Sequence, residues 1–114
     1  MTLITSVSFP ISGDDNSIRR QWCMKSKESG QPFPSTKLVD KSVQVTGTFG
    51  GGNLYWEGSN DGKNFYLLND LQGNPLDFKT SKIEGISEIC TACRPRVIGG
   101  DDTTNLIVTL VARK

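Results

Sequence analysis

No stretch of this sequence holds a helical hydrophobic period. Short runs of period-two alternation are instead cut at close intervals by turn residues, among them 12 glycines and 5 prolines. A chain punctuated in this way has no room for long helices, and the pattern predicts many short strands. The fold class is therefore expected to be all-β, a single-domain β-sandwich or jelly-roll-like barrel of about eight strands. Its 114 residues fit one domain over 1–114, large enough to bury roughly two thirds of its extended surface.

The strands can be placed from the alternation. Leu3, Val7 and Phe9 share one face of a first strand, followed by a turn cluster at 12–17. Ile18, Trp22 and Met24 form the apolar face of a second strand, with Arg20 breaking that face at its rim. Val43, Val45 and Phe49 alternate with polar residues in the cleanest strand of the chain. Further strands are expected near 54–57, 76–78, 83–89 and 95–98, and residues 65–71 suit at most one helical turn. The last strand is apolar on both faces, with Leu106, Val108 and Leu110 on one and Ile107 and Val111 on the other. Such a strand either lies centrally under a covering loop or meets another subunit. The inward set is read as Val45, Phe49, Trp56, Leu106, Val108 and Leu110.

Residues 26–36 form the longest irregular segment, a loop or arm carrying Pro32 and Pro34, which lack backbone donors. It reads either as a solvated connection or as a limb that orders on a partner. Phe33, between the two prolines, either anchors in a partner's pocket or folds back onto its own domain. Tyr55, Trp56, Phe65 and Tyr66 cluster around a hairpin at 58–62. Such a cluster is either an aromatic platform for a sugar or protein or a set of core and edge-covering side chains. Trp56 and Phe65 are expected to face the core, and for Tyr55 and Tyr66 both readings stay open. Phe33, Pro32, Pro34, Tyr55 and Tyr66 are thus the candidate partner-binding residues.

The chemistry of catalysis is poorly supplied. The sequence has no histidine, so neither a Ser-His nor a Cys-His pair can form. Cys90 and Cys93 have C-x-x-C spacing, but a structural zinc site needs a full tetrahedral ligand set, and only Cys23 remains to add to it. Three cysteines are an odd set, expected as reduced thiols. The pairs Asp14-Asp15 and Asp101-Asp102 and the Asn60-Asp61-Gly62 string fit turn chemistry. No catalytic residue, cofactor or metal is expected, and the chain is read as a non-enzyme. With 13 Lys+Arg against 12 Asp+Glu, nothing asks for nucleic acid. No run approaches the roughly 18 apolar residues of a membrane span, and the N-terminus does not read as a signal peptide.

Several strings share a further likeness. They are Val43-Gln44-Val45-Thr46-Gly47-Thr48-Phe49-Gly50-Gly51, the stretch from Glu57-Gly58-Ser59-Asn60-Asp61-Gly62 to Phe65, and Leu71-Gln72-Gly73-Asn74-Pro75-Leu76. Arg94-Pro95-Arg96-Val97 and Gly99-Gly100-Asp101-Asp102 before the last apolar strand complete the set. Together they resemble small structural proteins of tailed bacteriophages, over about residues 40–112. The resemblance implies a virion protein made in the host cytoplasm, a capsid decoration or cement protein of jelly-roll-like form. Its partner would be the major capsid protein, and it would be a homo-oligomer on the particle. A phage tail or baseplate β module, or a carbohydrate- or surface-binding β-sandwich, is the alternative.

Overall fold

The computed structural model describes residues 3–9 and 17–113. In chain order the strands are β1 (Leu3–Ile4), β2 (Val7–Phe9), β3 (Ser17–Met24), β4 (Ser29–Gly30), β5 (Phe33–Pro34) and β6 (Asp40–Thr48). They continue as β7 (Asn53–Ser59), β8 (Tyr66–Leu67), β9 (Asp77–Phe78), β10 (Lys82–Gly85), β11 (Ala92–Ile98) and β12 (Asn105–Arg113). Among the described residues no helix forms, so the all-β expectation holds. Residues 65–71 hold the short strand β8 in place of a helical turn.

Two sheets pack face to face. The seven-stranded sheet runs β1-β4-β11-β7-β8, with β5 also beside β11 and β9 beside β7, and the five-stranded sheet runs β10-β6-β12-β3-β2. All of these pairings are antiparallel except that of β1 with β4. The expected first strand is in fact two: β1 joins one sheet and β2 the other. Most of the turn expected at 12–17 lies outside the described residues, and Ser17 opens β3. The strand expected over 83–89 ends early, at Gly85.

Alternation decides which side chains enter the core. On β12, Leu106, Val108, Leu110 and Ala112 point inward and are buried, opposite Trp22 and Met24 of β3 and Val43 and Val45 of β6. From the other sheet Leu54, Trp56, Cys93 and Val97 meet them. Trp22 and Trp56 touch edge to face across the two sheets, with ring centroids 5.7 Å apart, a geometry that aromatic quadrupoles favour. Five of the six residues expected inward are fully buried, while Phe49 is only partly buried, packed against the cluster from beyond the end of β6. β12 does lie centrally, between β6 and β3.

The segment 26–36 is not a free arm. Glu28 accepts a hydrogen bond from Val97 N, Gln31 N donates to Ile4 O, and Ser35 N donates to Thr91 O. β4 and β5 add themselves to β11 as two short strands. Phe33 lies opposite Cys93, only 7% exposed. The reading of Phe33 as a partner anchor is corrected by this: its ring fills the core, capped by the Arg20 guanidinium 5.0 Å from the ring centroid. Arg20 is held there by a hydrogen bond to the Ser6 hydroxyl.

Candidate interaction surface

Pro95 sits in the middle of β11 with its ring buried, so its neighbours Arg94 and Arg96 share the opposite, outward face of the seven-stranded sheet. The register sets Arg94 beside Glu57 and Arg96 beside Tyr55, on β7. Arg94 Nε donates to Glu57 Oε1 at 3.1 Å, and Arg96 Nε donates to Oε2 at 3.1 Å. Arg96 Nη2 reaches the same oxygen at 3.1 Å. One carboxylate thus takes both guanidiniums. Each guanidinium also lies over an aromatic ring, Arg94 over Phe65 at 4.0 Å and Arg96 over Tyr55 at 6.0 Å.

The result is a file of five side chains, Phe65–Arg94–Glu57–Arg96–Tyr55, across the outside of the sheet. Glu57 is 3% exposed, and burying a lone carboxylate there would be prohibitive without the two cations beside it. The arginine side chains keep 20% and 33% of their surface open. Asp77, on β9 opposite Tyr55, adds a second carboxylate to this face, with Oδ1 buried and without a hydrogen bond. Two cations and two carboxylates leave the face balanced in charge, with its guanidinium orientations fixed in advance.

The other candidates fall in different places. Tyr66 is exposed, but it lies opposite Gly58 and so on the other side of the sheet from Tyr55. There it walls a cleft of about 430 Å³ with Asn60, Asp61, Glu88 and Ile89. Pro34 is exposed and Pro32 half-buried, flanking the buried Phe33. The five candidates therefore do not form one surface. Trp56 is fully buried, so Tyr55, Trp56 and Tyr66 make no planar aromatic platform of the kind a sugar would stack on. Phe65, expected inward, instead covers Arg94 on the outside. Arg94, Arg96 and Glu57 were missed as a group. The signal was the Arg-Pro-Arg string with Glu57 on an alternating strand, but their meeting depends on a register that the sequence does not display.

The ionisable groups suit structure better than proton transfer. Asp61 accepts from Lys63 N and Asn64 N at 2.8 Å each, as well as from the Asn64 and Ser59 side chains. These bonds, led by that from Asn64 N, hold its carboxyl well below the usual carboxylate range. Asp70 is lowered chiefly by Asn74 N and Asp101 chiefly by the Thr103 hydroxyl. Each stays ionised and organises its own turn, whereas a general acid needs its affinity for the proton raised. Cys90 and Cys93 are free thiols. Burial, aided by the neighbouring Cys90, pushes Cys93 up to about 12, the reverse of an activated thiol. Among the described residues no three His, Cys, Asp or Glu side chains gather to hold a metal ion.

No family model matches the sequence, and no curated protein matches it. Solved structures do share the fold. The SPBc2 prophage-derived protein YomS superposes with a TM-score of 0.68 over 95% of this chain and 99% of its own, at 10% identity. A cupin domain from Bordetella pertussis Tohama I superposes with a TM-score of 0.54 over 100% of this chain and 98% of its own, also at 10% identity. At such identities the likeness establishes the fold, a two-sheet cupin-like or jelly-roll-like sandwich.

Proposed function

We propose that this chain is a bacteriophage structural protein, a capsid decoration protein that seats on the major capsid protein through the outer face of its seven-stranded sheet and acts without catalysis. The observation that carries the reading is the Phe65–Arg94–Glu57–Arg96–Tyr55 file. Arginine and tyrosine are the residue types that concentrate binding energy at protein interfaces. Here they are held in place by Glu57 and by ring contacts, so little side-chain freedom remains to be lost on docking. The array is also balanced in charge, which suits a protein surface better than a polyanion. The fold likeness to a prophage-derived protein, nearly end to end in both chains, supports the phage setting, as do the turn strings. Repetition over a shell would multiply a modest contact into lasting occupancy.

The test is direct. Purified virus particles are analysed by mass spectrometry for the copy number of this chain relative to the major capsid protein, and capsids lacking it are then reloaded with purified protein. Wild type should bind in fixed ratio. Loss of a central interface arginine or tyrosine costs about 2 kcal/mol or more, roughly a 30-fold weakening. Arg96→Lys, which keeps a cation beside Glu57 but removes the planar guanidinium fork, and Tyr55→Ala should each weaken reloading on that scale while keeping the wild-type thermal midpoint within a few degrees. Recovery of the chain only in tail or baseplate fractions would overturn the capsid assignment. Full reloading by both folded variants would overturn the assignment of this face.

A further inference from the structure

The opposite side of the molecule presents a different surface. On the outer face of the five-stranded sheet, Ile83, Gln44, Thr109, Gln21 and Val7 form one row across all five strands, from β10 to β2. The row on one side of it runs Thr46, Ile107, Cys23, and the row on the other Ser42, Val111, Arg19. Ile83 is 59% exposed, Val7 56%, and Ile107 and Val111 38% each. Single exposed aliphatics need no explanation, but four on one sheet face do. Among the described residues no segment covers them, although β12 is the middle strand of the sheet.

From this face we infer that its occupant is a second copy of this chain, packed sheet to sheet about a two-fold axis near β12. Three observations select that occupant. Side chains close to a two-fold axis meet their own copies, so charges there would repel. The outward residues in the middle of β12 are Ile107, Thr109 and Val111, all neutral, and the row through Thr109 carries no charge. The face also supplies both halves of a self-complementary fit. Ile83 and Ile107 project from it, and a groove of about 580 Å³ opens at one end of it, with Val39, Leu71 and Val111 on its apolar side and the paired Asp40 and Arg113 on its polar side. Finally, the size is sufficient for a small interface. Strands of 9, 9, 8, 4 and 3 residues, about 4.8 Å apart and about 3.4 Å per residue, give a sheet face of roughly 540 Å² per copy before the relief of its side chains is counted, near the roughly 600 Å² per partner at the lower end of stable interfaces. Sheets packed this way sit about 10 Å apart with interdigitated side chains.

The experiment needs only the purified chain, so its outcome is independent of whether the capsid is the partner. Cys23 is exposed and faces outward beside Ile107, whereas Cys90 and Cys93 are buried. Interfaces near the lower end of the stable range hold on the order of micromolar. Sedimentation velocity at tens to hundreds of micromolar, roughly above that threshold, should give a dimer. Alkylation of Cys23 by N-ethylmaleimide should be about tenfold slower there than after dilution well below the dissociation constant. Thr109→Arg and, on the neighbouring strand, Gln44→Arg should give folded monomers whose Cys23 reacts at the fast rate at every concentration. A wild-type monomer throughout would overturn the inference, as would an oligomer in which Cys23 reacts at the monomer rate or which survives both arginine variants.

Discussion

At the scale of single residues, the two phenylalanines that bracket β6 are buried in the opposite order to the one their sequence contexts suggest. Phe49 ends the cleanest alternating run and reads as core, yet it is only partly buried. Phe33 lies between prolines in a glycine- and serine-rich stretch and reads either as a partner anchor or as folded back onto its own domain; it is 7% exposed, beneath Arg20. The reason is that Phe33 owes its burial to Cys93 beside it and Arg20 above it, neither of them near it in sequence, and local composition carries no trace of either. Truncating a buried phenylalanine costs about 3–5 kcal/mol. Phe33→Ala should fall in that range and Phe49→Ala well below it, measured by urea unfolding at equilibrium. A Phe49→Ala loss as large as that of Phe33→Ala would reverse the order of burial described here.

At the scale of elements, β11 places a proline in the interior of a sheet, where a missing donor ordinarily breaks the ladder. The neighbours show how it is accommodated. Trp56, opposite Pro95, donates its N–H to Leu76 O and accepts from Leu68 N. Its backbone is therefore turned toward β8 and β9, and the donor-less nitrogen of Pro95 faces the other way. On that side the sheet is interrupted: β4 ends at Gly30 and β5 begins at Phe33, leaving a gap where the bond would have been. The prolines at 32 and 34 mark this interruption, so the sequence signalled the break correctly while hiding that both flanks are strands. The Pro95 ring fills the space left by the missing side chain of Gly30. A Cβ at Gly30 would stand 2.6 Å from two ring atoms of Pro95 and 2.9 Å from Trp22 Cδ1. Overpacking of this kind costs about 1–3 kcal/mol, the loss expected for Gly30→Ala. Pro95→Ala should also destabilise, by opening a void. Because the smaller side chain relieves the crowding, the double variant should lose less than the sum of the singles in a denaturation cycle. Strict additivity would mean that the two residues do not touch.

At the scale of the whole molecule, the two-layer architecture was legible because it follows from local features, strand period and turn chemistry, repeated along the chain. The order in which strands pair was not, because it is set between segments far apart. Gln21 of β3 donates to the Thr109 hydroxyl of β12 from 88 residues away, and β12 then pairs on its other edge with β6. The surfaces inherit the same limit: which arginine meets Glu57, and which aliphatics share the face beside Thr109, are consequences of register. The separation also governs how the molecule is made. Each central strand pair closes a long loop before any of its contacts can repay the lost chain entropy, so folding should be slow for a chain of this size. Sheets dominated by such non-local pairing fold in roughly milliseconds to seconds. Trp22 and Trp56, one from each sheet and both fully buried, give an intrinsic probe of the moment the layers meet. Stopped-flow refolding followed by tryptophan fluorescence, at concentrations low enough to keep the chain monomeric, should therefore place the main phase in that window. Recovery of the full native fluorescence within about 100 μs, the regime of locally connected helical bundles, would show that the sheets assemble from contacts much closer in sequence than the β3–β12–β6 pairing.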